Sequence, residues 1–101
     1  ISQDLSEFAL HARAILGLPV PEIHAFAPAA SCAVLVEGEG SAPRYHGIGD
    51  ALAETGTMLR IFGKPEVHGR RRMAVTLARA ATVEEALEKA KRAASRIRVE
   101  L

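Results

Sequence analysis

Thr57–Arg79 reads TMLRIFGKPEVHGRRRMAVTLAR. Thr57–Phe62 and Arg72–Arg79 are rich in β-branched and large apolar residues, and turn formers bound them, so each reads as a strand. Gly63–Arg71 lies between them and holds Pro65 and Gly69. Two strands around a glycine-bearing loop form a β-hairpin, here a long one. In the second strand Met73, Val75 and Leu77 are expected to face the core. Alternation then starts Arg71 on that side and Arg72 on the other, so both grip one anion only if the chain bends near Gly69–Arg71.

Downstream, Thr82–Arg96 reads as an amphipathic helix. Thr82 is its N-cap and Glu85 the capping-box partner. Val83, Ala86, Leu87, Ala90, Ala93, Ala94 and Ile97 form one apolar stripe. Glu84 and Glu85 at the start, with Lys89, Lys91, Arg92 and Arg96 later, suit the helix dipole. The tail RIRVEL alternates with period two and reads as a last strand.

Upstream, Ser31–Val36 is a strand and Glu37–Gly47 (EGEGSAPRYHG) a loop. Asp50–Glu54 has room for a helical turn or two. Residues 4–16 read as a helix with Leu5, Phe8, Ala9, Ala12, Ile15 and Leu16 on one face, Asp4 as cap and Gly17 as stop. Pro19, Pro21 and Pro28 make 17–30 an extended connector. Helix, strand, turn, hairpin, helix and strand do not alternate as in a doubly wound fold. The reading is therefore α+β, a small antiparallel sheet with a β-hairpin, flanked by helices.

The 101 residues suffice for one modest core. Apolar residues make up 49% but only four are aromatic, so the core is expected to consist of Val, Ile, Leu and Ala. The net charge of +1 excludes a polyelectrolyte binder and confines any basic function to a local patch. The single cysteine, Cys32, cannot form an internal disulfide and is expected to be a buried, inert thiol. No apolar run approaches the roughly 20 residues of a membrane span, and the first residues lack a signal-peptide pattern. No membrane partner is expected, and a cytoplasmic location is.

The densest basic cluster is Arg60, Lys64, Arg70, Arg71 and Arg72, relieved only by Glu66. Guanidinium groups offer bidentate donors to phosphate oxygens, and lysine adds a mobile point charge. The same charges also serve a plain solvated turn, and composition leaves both readings open. His11, His24, His46 and His68 show no metal-ligand spacing, so no metal site is expected within the chain. The EGEGS stretch lacks the Lys and Ser/Thr of a phosphate loop. No catalytic constellation is legible.

Ser2–Pro19 (SQDLSEFALHARAILGLP) and Phe62–Ala78 (FGKPEVHGRRRMAVTLA), with PAASCAVL and TVEEALEKAKRAA in the same order, go further. Together they resemble the C-terminal part of formate-dependent phosphoribosylglycinamide formyltransferases, which are ATP-grasp enzymes. The resemblance covers nearly the whole chain. It implies residues 1–25 as a helix and linker from the end of the ATP-grasp core, and 26–101 as the small C-terminal domain. It also implies an enzyme of purine biosynthesis that activates formate with ATP and Mg²⁺, so that the glycinamide ribonucleotide amine attacks formyl phosphate. The family's GKPE…RR motif binds the ribonucleotide, which carries over to Lys64, Arg71 and Arg72. Arg70 matches no family role. The Mg²⁺ carboxylates and ATP-binding segments of the family have no counterpart in these residues. Neither cofactor is therefore expected to bind this chain alone, which is expected to be inactive. The resemblance further implies a homodimeric parent. The apolar face of residues 1–17 would cover the core.

The carboxyaminoimidazole ribonucleotide synthetases are similar too. However, the Pro before Gly in their GK…RPGRKMGH pattern is absent from His68–Met73, and Ala74 stands where they prefer Gly. Two other classes stay open: a nucleic-acid module using the basic hairpin, and an oligomerisation domain. Against the first stands the lack of aromatics interleaved with the arginines.

Overall fold

The computed structural model describes residues 1–101. In chain order it contains α1 (Glu7–Leu16), β1 (Ala29–Ser41), β2 (Arg44–His46), α2 (Ile48–Leu52), β3 (Thr57–Ile61), β4 (Glu66–Arg79), α3 (Val83–Arg96) and β5 (Arg98–Glu100). Three strands pair antiparallel in the order β1-β4-β3, and β2 pairs with β5 in a separate two-stranded ribbon. The architecture is α+β, as the order of elements in the sequence implies.

β4 begins six residues before the expected start at Arg72, and the turn joining it to β3 shrinks to Phe62–Pro65. The reason is tertiary. β1 continues through the stretch expected as a loop, and Leu35–Ser41 pairs with Glu66–Arg72. Backbone donors and acceptors there find partners that local propensity could not reveal. The two glycines that argued against a strand are needed in it. A Cβ on Gly38 would lie 3.0 Å from the Leu101 side chain, and one on Gly40 would lie 2.9 Å from the Leu101 Cβ.

α3 packs across β1, β4 and β3. Its buried residues are Ala86, Ala90 and Ala93, with Ile97 just beyond its end. Alanines let the helix axis approach the sheet closely. Val83 and Leu87, expected in that stripe, are 57% and 38% exposed. The Thr82 hydroxyl accepts the Glu85 N–H at 3.2 Å, so the expected cap forms.

The strand positions facing α3 are Ala74, Thr76 and Ala78, all fully buried, rather than the expected Met73, Val75 and Leu77. Val75 and Leu77 are half-buried on the opposite face, while Met73 is buried at a register shift. Val34 pairs with Ala74 but Leu35 pairs with Arg72, so Met73 is the extra residue of a β-bulge. The Thr76 hydroxyl lies 2.7 Å from the Ala90 carbonyl oxygen and so joins sheet to helix.

α1 starts later than the sequence suggests. Ser6, not Asp4, caps it, accepting the Ala9 N–H at 3.0 Å. Asp4 instead accepts backbone N–H groups of His24 (3.0 Å) and Leu5 (2.8 Å), tying the N-terminal segment to the connector. Those bonds, the one from His24 foremost, hold its carboxyl below the usual range. No residue of α1 is buried, and Phe8 is 85% exposed.

Candidate functional site

The basic residues sit on a tightly braced hairpin. Gly63 adopts φ +69°, which the tight turn after β3 requires of a residue without a Cβ. The Phe62 N–H donates to the Met73 carbonyl at 3.0 Å, and the Ala42 N–H donates to the Pro65 carbonyl at 2.9 Å. The turn is thereby fastened to β4 on one side and to the end of β1 on the other. Lys64, half-buried, places its ammonium 5.7 Å from the centre of the Phe62 ring, at the outer range of a cation–π contact.

The bulge at Met73 decides where the arginines point. Without it, even-numbered residues along β4 would all share the α3 face. The extra residue reverses the alternation, so Arg71, opposite Val36, lies on the α3 side and Arg72, opposite Leu35, on the other. Arg71 and Arg72 are therefore on opposite faces. Arg71 is half-buried, and its Nη1 donates to the Glu66 carbonyl at 3.0 Å. Arg72 is exposed and lines a shallow cleft with Leu35 and Arg70. Gly69, at φ +76°, departs from extended backbone, but Arg71 and Arg72 stay on opposite faces, so the bend that would let both grip one anion is not made. Sequence reasoning singled out Lys64, Arg71 and Arg72, and missed that Arg70 is the neighbour of Arg72 on its own face. The i, i+2 spacing held that signal, but only the paired register confirms that the strand extends so far.

These cations are not neutralised. Five ion pairs form in the molecule, and none includes Lys64, Arg70, Arg71 or Arg72. Glu66, the one acid in the loop, is taken by His68 at 3.3 Å. Two arginines elsewhere behave differently. Arg92 and Arg96 both meet Glu54, at 2.8 Å and 3.4 Å. The Arg92 hydrogen bond holds the Glu54 carboxyl below its ordinary range. Four unpaired cations within nine residues of one hairpin repel each other, and an anion relieves that repulsion.

Residues 29–97 match the family model described as PurT, C-terminal. The chain belongs to that family. The PurT C-terminal chain is 65% identical over all its residues to the formate-dependent phosphoribosylglycinamide formyltransferase of Nitratidesulfovibrio vulgaris (strain DSM 19637 / Miyazaki F), and 61% identical to that of Azoarcus sp. (strain BH72). It spans about a quarter, 26%, of the length of these curated relatives. Among solved structures, N5-carboxyaminoimidazole ribonucleotide synthetase from Thermotoga maritima superposes with a TM-score of 0.85 at 36% identity, over 97% of this chain and 28% of that one.

The other candidates of this PurT C-terminal chain are dispersed. His46 is 2.6 Å from Glu100, His24 stacks edge-on against Phe26, and His11 is exposed on α1. Cys32 is half-buried rather than fully buried. No three His, Cys, Asp or Glu side chains converge. No helix is long and apolar enough to cross a membrane.

Proposed function

We propose that this chain is the ribonucleotide-holding C-terminal part of a formate-dependent phosphoribosylglycinamide formyltransferase. In this reading Lys64, Arg71 and Arg72 bind glycinamide ribonucleotide, Arg72 from one face of β4 and Arg71 from the other. The observation that carries the reading is the hairpin itself, with Lys64 on a braced turn, Arg71 and Arg72 on the strand that follows, and none of them ion-paired. The names of the relatives support it. One kind is named for phosphoribosylglycinamide and the structural neighbour for N5-carboxyaminoimidazole ribonucleotide. The moiety common to both is a ribose phosphate, and the hairpin is built for that end of the molecule. Binding energy gathered at the phosphate positions the distant amine for attack.

Under this proposal residues 1–25 belong to the end of the ATP-grasp core and 26–101 to the small domain. The exposed apolar face of α1 covers the rest of the polypeptide. ATP, Mg²⁺ and formate are handled by that remainder, within a cytoplasmic, homodimeric enzyme, and this chain alone does not turn over. The better match to the formyltransferases favours them over the carboxyaminoimidazole ribonucleotide synthetases.

An NMR titration of the chain with glycinamide ribonucleotide, with ATP and a short single-stranded RNA as controls, tests the binding role. Saturable shifts from Gly63 to Met73, abolished by Lys64→Ala, are expected with the ribonucleotide. Shifts produced by RNA alone would replace this reading with a nucleic-acid module.

A further inference from the structure

Arg70 lies in the site but has no part in the reading above. It is exposed, it forms no ion pair, and it faces the same side of β4 as Arg72. Residues two apart on a strand are separated by roughly 6.6 Å. That spacing leaves room for one tetrahedral anion held from either side by charge-assisted bonds of about 2.8 Å. Leu35 stands directly across from Arg72 and closes the cleft with an apolar wall. An apolar wall beside two guanidinium groups favours a phosphate that carries an organic group over the bare ion. Arg71, on the other face and bonded to the Glu66 carbonyl, cannot complete this cleft. Glu37, opposite Arg70, is the one acid directly across from it, and it forms no ion pair with it.

We propose that Arg70 is a further binding residue of the hairpin, which grips an organic phosphate monoester together with Arg72 in the cleft walled by Leu35. This rests on the reading of the hairpin as a phosphate site and adds a residue to it. Arg70 and Arg72 act as one unit, and Arg71 contributes separately from the opposite face.

The test is calorimetric titration of the whole chain with ribose 5-phosphate, and with ribose as the uncharged control. The variants are Arg70→Ser, Arg70→Lys, Arg71→Ser, Arg72→Ser and the Arg70→Ser/Arg72→Ser double. Lys91→Ser, an exposed cation on α3, removes the same charge far from the hairpin. Arg70→Ser is expected to weaken ribose 5-phosphate binding about tenfold, as loss of a hydrogen bond to a charged group does. Arg70→Lys keeps the charge but loses the fork, and should fall between. The double variant should be little worse than Arg72→Ser alone, whereas Arg71→Ser should add to either. If Arg70→Ser matches Lys91→Ser while Arg72→Ser loses affinity, Arg70 is not a ligand contact and the hairpin reading stands without it. If wild type binds no ribose 5-phosphate, or no hairpin variant alters binding, the phosphate reading fails and the role of Arg70 with it.

Discussion

Thr76 places a hydroxyl where helix meets sheet, 2.7 Å from the Ala90 oxygen and 3.2 Å from that of Cys32. Its single proton serves one acceptor at a time, and the shorter bond is the one to α3. Thr76→Val keeps the volume and removes the donor. It should lower unfolding stability by about 1 kcal/mol, read as a lower denaturant midpoint at unchanged slope. An unchanged midpoint would mean the bond contributes nothing net. Gly47 is the more sensitive position. It adopts φ +84° at the start of α2, and a Cβ there would fall 1.8 Å from the Arg96 carbonyl oxygen. Gly47→Ala combines backbone strain with that overlap, and should cost about 3 kcal/mol or more in the same experiment. Gly63 and Gly69 also have positive φ, but their Cβ positions are open. Strain alone would act there, and the hairpin would be altered more than the core. The cations at 60–72 were conspicuous in the sequence because charge is a property of single residues. Which of them share a face was not, because facing depends on a bulge one residue long.

At the scale of elements, α3 is held at both of its margins. Its inner face uses small residues against the sheet, and its outer flank ties Arg92 and Arg96 to Glu54, in the turn that precedes β3. The Glu54 carboxyl is held below its ordinary value of 4.5, first by the hydrogen bond from Arg92. A carboxyl whose folded pKa is depressed adds stability that is complete above the unfolded value. That contribution is lost as pH falls through the folded value. Stability of the wild-type chain should therefore decline below about pH 4.5 more steeply than that of Glu54→Gln. Thermal midpoints between pH 3 and 7 would show it, and parallel curves for the two proteins would remove Glu54 from the account. The same contrast gives the hairpin its meaning. Arg92 and Arg96 brace α3 through a carboxylate, and the hairpin arginines have none. Helix α3 was legible in its cap, extent and charge gradient, which are local, while Val83 and Leu87 of its expected stripe are exposed. β1 was legible only in its apolar half. Glu37–Ser41 alternates acid with glycine, and nothing in that composition announces a strand. It becomes one because β4 runs beside it and Leu101 lies across its glycines.

On the scale of the whole molecule, the sheet and the helix packed on it are built from residues 29 onward, and α1 stands beside them with no buried residue. The N-terminal segment touches the rest through few bonds, among them that of the Arg79 guanidinium to the Ile1 carbonyl and that of the Phe26 N–H to the Ser2 carbonyl at 2.7 Å. Removing residues 1–25 should therefore leave a cooperative unfolding transition whose midpoint lies within about 5 °C of that of the whole chain. Loss of that transition would show that α1 stabilises the rest. A helix with Phe8, Ile15 and Leu16 exposed is poorly suited to water. The chain spans 26% of its relatives' length, and on the proposed reading the remainder meets this face.

What the sequence determined by itself was whatever depends on neighbours along the chain: the α3 helix with its cap, the β-hairpin, the α+β order and the location of the positive charge. Those follow from periodicity, turn chemistry and residue type, which act within a few residues. What tertiary structure alone decided was the reach of β1 and β4, the choice of Ala74, Thr76 and Ala78 as the inward face, and the assignment of Arg70 with Arg72 against Arg71. Each depends on the pairing of residues some twenty-five to fifty positions apart. A register shift at Met73 turns every side chain beyond it to the opposite face, and no local signal in the sequence carries that information.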